Sequence, residues 1–539
     1  MIEKAKVLVI GLDGAGFALL RPWIDAGDLP NLATLIKEGA HGDLKSSYPP
    51  NTGPAWSSIY TGMNVGKHGV YNLVQNVGPS GYVLANAGMR RGRDVWQIIG
   101  DLGKSVIVMN APVTYPPRSV NGIMVTGFPT PSEDCVYTYP PSLKDEILTI
   151  SPEYRASLPD GFVKNRSKVD LRIYIDLLSK SLNSKRDLAV HFMDKYDWDF
   201  FMLVFSETDY VQHYFWADME RRDSAGSDKH KSAIFEVYKQ VDNIIGELVK
   251  KAGKEAYVFV ISDHGAGPCP KLFQTGNFLY RNKWLHFKPS LKTRIKLLSH
   301  KIGIDHYTLF GLFRSLGFPN LGILAKRRLR LARYDIDWDK TLAYCFGSSI
   351  SLNLKGRDSA GIVEPKDYDK LRNQIIQELI KVRDPETSNI VFDKVLKRED
   401  VYWGPEVGNA PDIIPITREP YGLSPEDISV KSLFTKSYDR SGDHTMNGLL
   451  IIHGPQIKKV EVEKASVIDI APTILYAMGL PNPSDMDGKI LTQAFSESHV
   501  KSKHIAYSQT SEKRPKDSVL TDAEEKQIAS SLRALGYIE

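Results

Sequence analysis

Short apolar runs recur along the chain at 6–12, 105–111, 122–128, 199–205, 257–262 and 448–453. They are rich in Val and Ile and lack period-two alternation, the pattern of strands covered on both faces. Helix-like patterns separate them, at 29–39, 93–102, 167–195 and 229–252. The alternation predicts an α/β fold, a mainly parallel sheet flanked by helices on both faces. Towards the C-terminus, Asp469-Ile-Ala-Pro472 reads as a helix start, with Asp469 near the cap and Pro472 in the first turn.

The rhythm breaks between 270 and 400, which we expect to be a cap inserted into a catalytic domain formed by 1–269 and 401–495. Residues 281–333 carry 13 Lys and Arg against one acidic residue, Asp305. Leu291, Ile295, Leu298 and Ile302 recur there at helical spacing, followed by aromatic residues from Tyr307 to Phe318. A basic amphipathic segment of this kind suits an anionic membrane surface or a lipid-linked substrate. It equally suits an ordinary helical lid with a solvated basic face. Residues 496–539 read as a polar linker and a last helix, opened by a Thr521–Glu524 capping box and ended at Gly536. Ile528, Leu532 and Leu535 share one face of that helix and are expected to dock on the protein's own surface.

Composition adds bounds. At 539 residues, with 42% hydrophobic and 25% charged residues, the chain is an ordinary globular one, long enough for a large domain with an insertion. A net charge of +5 is small for this length, and no nucleic-acid partner is indicated. Cys135, Cys269 and Cys345 are far apart and form no CxxC pair, so they point to neither a disulfide framework nor a thiolate site. The first apolar stretch is about six residues and ends in Asp13, too short and too acidic for a signal peptide. No run approaches ~18 apolar residues. A cytoplasmic protein is expected, with peripheral attachment to a membrane left open.

The polar residues that end the apolar runs carry the chemistry. Asp13 follows VLVIGL, Asp209 and His213 come just after FFMLVF, Asp263 and His264 follow YVFVIS, and His444 stands ahead of NGLLII. Open α/β sheets gather ligands at the carboxyl ends of their strands. Asp209 and His213 are four apart, one helical turn, so both can point from one face. Thr52, two residues before Pro54, suits the first turn of a helix, where backbone N–H groups favour a phosphate; alternatively it is only the helix cap. Three Asp and three His with an alcohol among them are what a two-metal phosphoryl-transfer site requires. A basic cluster, Arg90, Arg91 and Arg93, is expected to be a solvated face.

The order D…T…DxxxH…DH…H resembles the alkaline phosphatase superfamily, most closely its type I phosphodiesterase/nucleotide pyrophosphatase branch. The stretch DIAPTILYAMGLPNPSDMDGKIL is similar to that superfamily's C-terminal segment. The likeness covers about 5–265 and 435–495. It implies two divalent metal ions, zinc by resemblance, one held by Asp13, Thr52, Asp263 and His264 and the other by Asp209, His213 and His444. Oxygen and nitrogen donors also permit Mn or Fe. It further implies Thr52 as nucleophile, a phosphothreonine intermediate, and cleavage of a phosphodiester or pyrophosphate small molecule.

The chain departs from the family where Gly53-Pro54-Ala55-Trp56 replaces the frequent Phe-Pro-Asn-His. Asn72 is the nearest counterpart of a phosphate-clamping Asn, offset by one position, and with the Gly53 amide it is the expected oxyanion donor. Thr52, Pro54 and Trp56 do not fit the Cys/Ser-x-Pro-x-Arg pattern of formylglycine sulfatases. Phosphotransfer to an alcohol, as in phosphoethanolamine- or glycan-modifying enzymes, and phosphomonoesterase or mutase activity use the same core. A non-catalytic scaffold would be favoured by lost ligands, and none is missing.

Overall fold

Val7–Leu12 lies at the heart of a ten-stranded sheet, bonded in parallel to Phe200–Phe205 on one side and Tyr257–Ile261 on the other. The computed structural model describes residues 5–156, 171–220, 232–301, 335–424, 432–437, 440–502, 505–509 and 520–534, together with 309, 312, 313, 316 and 318. Beyond Phe200–Phe205 the sheet continues in parallel through Val106–Ala111 and Gly122–Thr126 to an antiparallel edge at Thr138–Tyr139. Beyond Tyr257–Ile261 it continues through Asn447–His453, antiparallel, then Ala40–Lys45, and short strands at Val460–Glu461 and Ala465–Ser466. All six runs read from the sequence as strands are strands of this sheet.

The absence of alternation in those runs has the expected cause. Leu8, Ile10 and Leu12 face one core, with helices Phe17–Asp25, Pro30–Glu38, Leu171–Lys195, Glu207–Glu220 and Ala233–Ala252 over it. Val7 and Val9 face the other, under helices Thr52–Thr61, Val95–Asp101 and Ile470–Ala477. Each side chain of this size, fully buried, stabilises the fold by ~1.5–3 kcal/mol, so polar residues are excluded until the strand ends. Ala40–Lys45 was not legible as a strand. Its sequence AHGDLK alternates buried and exposed positions and carries too few apolar residues to stand out.

The interval from 270 onward holds short strands as well as the helices Thr275–Arg281, Leu291–Lys301 and Tyr368–Ile380. Lys271–Gln274 pairs with Tyr421–Ser424 and Phe434–Lys436, and a four-stranded sheet runs in the order Ala343–Phe346, Ser349–Leu352, Ile413–Thr417, Phe392–Lys397. These two sheets draw strands from both sides of residue 400, and their apolar residues form a separate core around Phe273, Ile350 and Leu379. Four-residue antiparallel strands leave almost no periodic trace in the sequence. Of the basic segment 281–333, residues 302–308, 310–311, 314–315, 317 and 319–333 lie outside the described residues.

Towards the C-terminus, helix Ile470–Ala477 begins after Asp469, as expected. The polar stretch after 495 is partly structured: Glu497–Ser502 is helical, and Tyr507–Ser508 pairs in parallel with Asn482–Pro483. The last helix, Asp522–Ala534, has the expected box, with Thr521 N donating to Glu524 Oε2 at 2.8 Å and Glu524 N to Thr521 Oγ1 at 3.3 Å. Ile528 and Leu532 are fully buried in the first core, while Leu535 and Gly536 lie outside the described residues. The three cysteines are free thiols. Among the described residues no helix is long and apolar enough to cross a membrane.

Candidate metal centre

Parallel register brings the chemical residues to one edge of the sheet. Leu12 pairs with Phe205 and Gly11 with Ile261, so the chain emerges side by side at Asp13, at the turn leading to Asp209, and at Asp263-His264. Asp13 N donates to the Phe205 carbonyl at 3.1 Å. Helix Glu207–Glu220 then starts at once, and places Asp209 and His213 one turn apart. The strand Ala40–Lys45 delivers the loop that ends at Thr52. His444 arrives on a two-stranded ribbon, where Gly442–Thr445 pairs with Gly265–Pro268 and His444 stands opposite Ala266.

Thr52 is the first helical residue rather than the cap. Asn51 caps the helix, its Oδ1 accepting from Gly53 N at 3.3 Å. The Gly53 amide expected at a substrate oxygen is thus engaged within the cap. Trp56, one turn further, packs its ring over the central strand. A Cβ on Gly11 would lie 2.4 Å from that ring, so only glycine fits there.

The seven predicted ligands converge in two neighbouring groups, and six of them are almost fully buried, with His444 nearly so. In one group, Thr52 Oγ1 lies 3.5 Å from Asp13 Oδ1 and 3.4 Å from His264 Nε2, which is itself 3.2 Å from Asp263 Oδ2. In the other, His213 Nε2 lies 3.1 Å from Asp209 Oδ2 and 3.1 Å from His444 Nε2. Asp209 is close to both groups: its oxygens come within reach of Asp13 and His264 as well as His213 and His444.

Each histidine is oriented the same way. His213 Nδ1 meets the Gly442 carbonyl at 2.8 Å, His264 Nδ1 that of Gly265 at 3.0 Å, and His444 Nδ1 that of Pro50 at 3.0 Å. A carbonyl can only accept, so Nδ1 carries the proton and the Nε2 lone pair is left for a ligand. Three such lone pairs then point into a pocket with three carboxylates.

Groups of this composition could hold cations. Burial, with Asp263 and Asp209 beside it, holds Asp13 well above the usual carboxylate range; burial and Asp209 do the same to Asp263. Burial opposes ionisation of Asp209 too, but His213 and His444 outweigh it and hold that carboxyl low. Burial and the neighbouring His444 depress His264, and burial with the Arg440 charge depresses His213. Asp209 Oδ1 and Asp263 Oδ2 are buried with no hydrogen-bond partner. Buried carboxylate oxygens left bare cost several kcal/mol each unless a cation meets them.

Four supporting residues were not foreseen. Trp56 Nε1 donates to Asp13 Oδ2 at 3.2 Å. Gln212 Nε2 donates to the Gly14 carbonyl at 3.1 Å, and Ser262 Oγ accepts from Ala15 N at 2.9 Å, so both grip the turn after Asp13. Arg440 Nη2 lies against the His213 imidazole, donating to Nε2. Trp56 stands one helical turn after Thr52, and that spacing was the signal available for it. Arg440 sits in an irregular loop that no pattern marks.

Asn72 lies beside Gly53 through its backbone; its Oδ1 accepts from Leu73 N at 2.7 Å and its Nδ2 faces Gly347. The structure gives its side chain no contact with the seven. Of the basic cluster, Arg91 is exposed as expected, but Arg90 is not part of a solvated face: it is 1% exposed and forms a two-point pair with Asp94 at 2.7 and 2.8 Å.

Comparison with known proteins gives the family and the fold. The family model "Type I phosphodiesterase / nucleotide pyrophosphatase" matches residues 7–446. The chain belongs to the type I phosphodiesterase/nucleotide pyrophosphatase family. Sequence comparison with curated proteins gave no match. Among solved structures, wild-type alkaline phosphatase PafA is 14% identical over 91% of this chain and 98% of its own, with a TM-score of 0.52. Phosphonoacetate hydrolase from Sinorhizobium meliloti 1021, in complex with phosphonoformate, is 16% identical over 88% and 95%, with a TM-score of 0.51. These likenesses show a shared fold, alkaline-phosphatase-like. Family membership makes the protein a phosphoesterase.

Proposed function

We propose that this phosphodiesterase-family protein is a metal-dependent phosphohydrolase that cleaves small phosphodiesters or pyrophosphates through a phosphothreonine at Thr52. The observation that carries the reading is the common orientation of the three imidazoles, which turns their Nε2 atoms toward three carboxylates and the Thr52 hydroxyl, the Arg440 guanidinium lying against that of His213. Asp13, Thr52, Asp263 and His264 would hold one divalent cation and Asp209, His213 and His444 the other. Nitrogen and oxygen donors suit Zn, Mn or Fe, and we favour zinc. When bound, such ions lower the pKa of the hydroxyl and offset charge on the phosphoryl oxygens.

The chain's own residues do the rest. Thr52 sits at the start of a ten-residue helix, where the dipole and N–H groups favour a phosphate. Its Oγ1 forms a bond to phosphorus while the bond to the leaving oxygen breaks, the leaving group taking the electron pair. The hydroxyl proton passes to Asp13 Oδ1, 3.5 Å away. Water then attacks phosphorus, the P–Oγ bond breaks, and Thr52 regains a proton. The Arg440 guanidinium, beside His213, is placed to clamp non-bridging oxygens; Asn72 would be a second donor to them only on turning its side chain from Leu73 and Gly347.

The test is turnover of bis-p-nitrophenyl phosphate, p-nitrophenyl phosphate and a nucleotide pyrophosphate with Zn, Mn and Mg, by wild type and Thr52→Ala. The reading expects diester or pyrophosphate to be preferred and the variant to lose at least ~1000-fold in kcat. Faster monoester turnover would make the protein a phosphomonoesterase. A metal-loaded Thr52→Ala with undiminished rate would remove the covalent step.

A further inference from the structure

Helix Leu291–Lys301 is built inside out. Its polar residues turn inward: Thr293 and Lys296 are buried, and both address Asp335, Lys296 Nζ at 2.8 Å and Thr293 Oγ1 at 3.4 Å. Ser290 caps it, accepting from Thr293 N at 3.1 Å. Three of its four large aliphatic residues turn outward, while Leu297 packs against the core around Phe273. Leu291, Ile295 and Leu298 are 76%, 56% and 61% exposed. At about 100° per residue these three fall within an arc of about 60°. Exposed Lys292 flanks that stripe on one side and exposed Arg294 on the other, and Lys288 stands exposed just before the helix. Further along the same segment Leu312, Leu316 and Phe318 are also exposed.

A buried ion pair on the inner face and bare aliphatics on the outer one reverse the usual order of a surface helix. The charge around the stripe decides what covers it. Lys288, Lys292 and Arg294 stand exposed about the stripe, so a second copy of this face would set like charge against like. An acidic partner without apolar depth would leave the leucines wet. An anionic bilayer satisfies both features, with aliphatics in the headgroup–acyl boundary and cations at the phosphates. We propose that helix Leu291–Lys301 docks the protein on anionic membrane through Leu291, Ile295 and Leu298, with Lys292 and Arg294 at the lipid headgroups. This attachment is independent of the reaction assigned above.

The full chain is sedimented with vesicles of phosphatidylcholine alone and of phosphatidylcholine mixed with phosphatidylglycerol in equal parts. Binding to the mixed vesicles alone is expected, weakening as salt rises. The triple change Leu291→Ser, Ile295→Ser, Leu298→Ser and the double change Lys292→Glu, Arg294→Glu should each weaken binding roughly tenfold or more. Both variants should hydrolyse bis-p-nitrophenyl phosphate as wild type does, which shows that the fold is intact. Wild type that binds neither vesicle, or both equally, overturns the proposal. So does a triple variant that binds as wild type, or a wild-type dimer that the triple change dissolves and that ignores vesicles.

Discussion

Trp56 Nε1 donates to Asp13 Oδ2 at 3.2 Å and thereby selects the other oxygen, Oδ1, to face Thr52 Oγ1 and His264 Nε2, each at 3.5 Å. The indole orients the carboxylate from behind, as partners of metal-binding groups commonly do. Replacing it should therefore alter the metal site without touching the nucleophile. Trp56→Phe keeps an aromatic ring at this position and removes the donor. We expect metal affinity or kcat to fall about 10- to 100-fold with little change in melting temperature. Titrating the metal-free variant and following bis-p-nitrophenyl phosphate turnover checks this; wild-type values in both would leave the indole a packing residue only.

Gly14 holds φ +73°, and a Cβ there would meet Asp209 Oδ1 and Gln212 Nε2 at 3.1 Å each. Gly27 has a similar φ of +82° with nothing within 4 Å. Gly14→Ala and Gly27→Ala should both cost ~1–2 kcal/mol through left-handed backbone strain. Only Gly14→Ala should also depress turnover, because its new methyl presses on Asp209. Thermal melts beside kinetics separate strain from crowding.

Arg440 tests the substrate end of the site. Arg440→Ala should lower kcat/KM about 10- to 100-fold, the worth of ~1.5–3 kcal/mol for a hydrogen bond to a charged group. Bound metal should not change. Metal loss in this variant would make Arg440 a support for His213 instead of a phosphate clamp.

His68 gives the fold an acid sensitivity of its own. It is fully buried, Nδ1 accepting from Val70 N at 3.2 Å and Nε2 pairing with Ser58 Oγ at 2.9 Å. Burial, and then the Arg90 charge, press its pKa from 6.5 to about 3. Between those values the unfolded chain binds a proton that the folded chain refuses. The stability is therefore complete above pH ~6.5 and declines towards pH ~3, by ~1.4 kcal/mol per unit. Urea midpoints from pH 7 down to 4 should fall less steeply for His68→Gln than for wild type.

The central sheet was legible because buried parallel strands need unbroken apolar runs, and Asp13, Asp209 and Asp263 mark where those runs stop. The helical i, i+4 spacing placed Asp209 with His213 for the same reason. Other features left weaker traces. Ala40–Lys45 has a partly exposed, polar sequence, and the four-residue strands after 270 are too short for a period to show. Arg90 looked like surface charge because its partner Asp94 became decisive only once both were buried. Arg440 acts on His213 through a tertiary contact that sequence spacing does not encode, whereas Trp56 left only its one-turn spacing from Thr52.

The central claim is that this pocket is a two-cation site that makes Thr52 reactive. Metal content of the purified chain, measured by mass spectrometry beside turnover of bis-p-nitrophenyl phosphate, tests it most directly. About two divalent ions per chain are expected, with loss of turnover on chelation and recovery on adding Zn or Mn. A metal-free chain that hydrolyses the diester at an undiminished rate would contradict it.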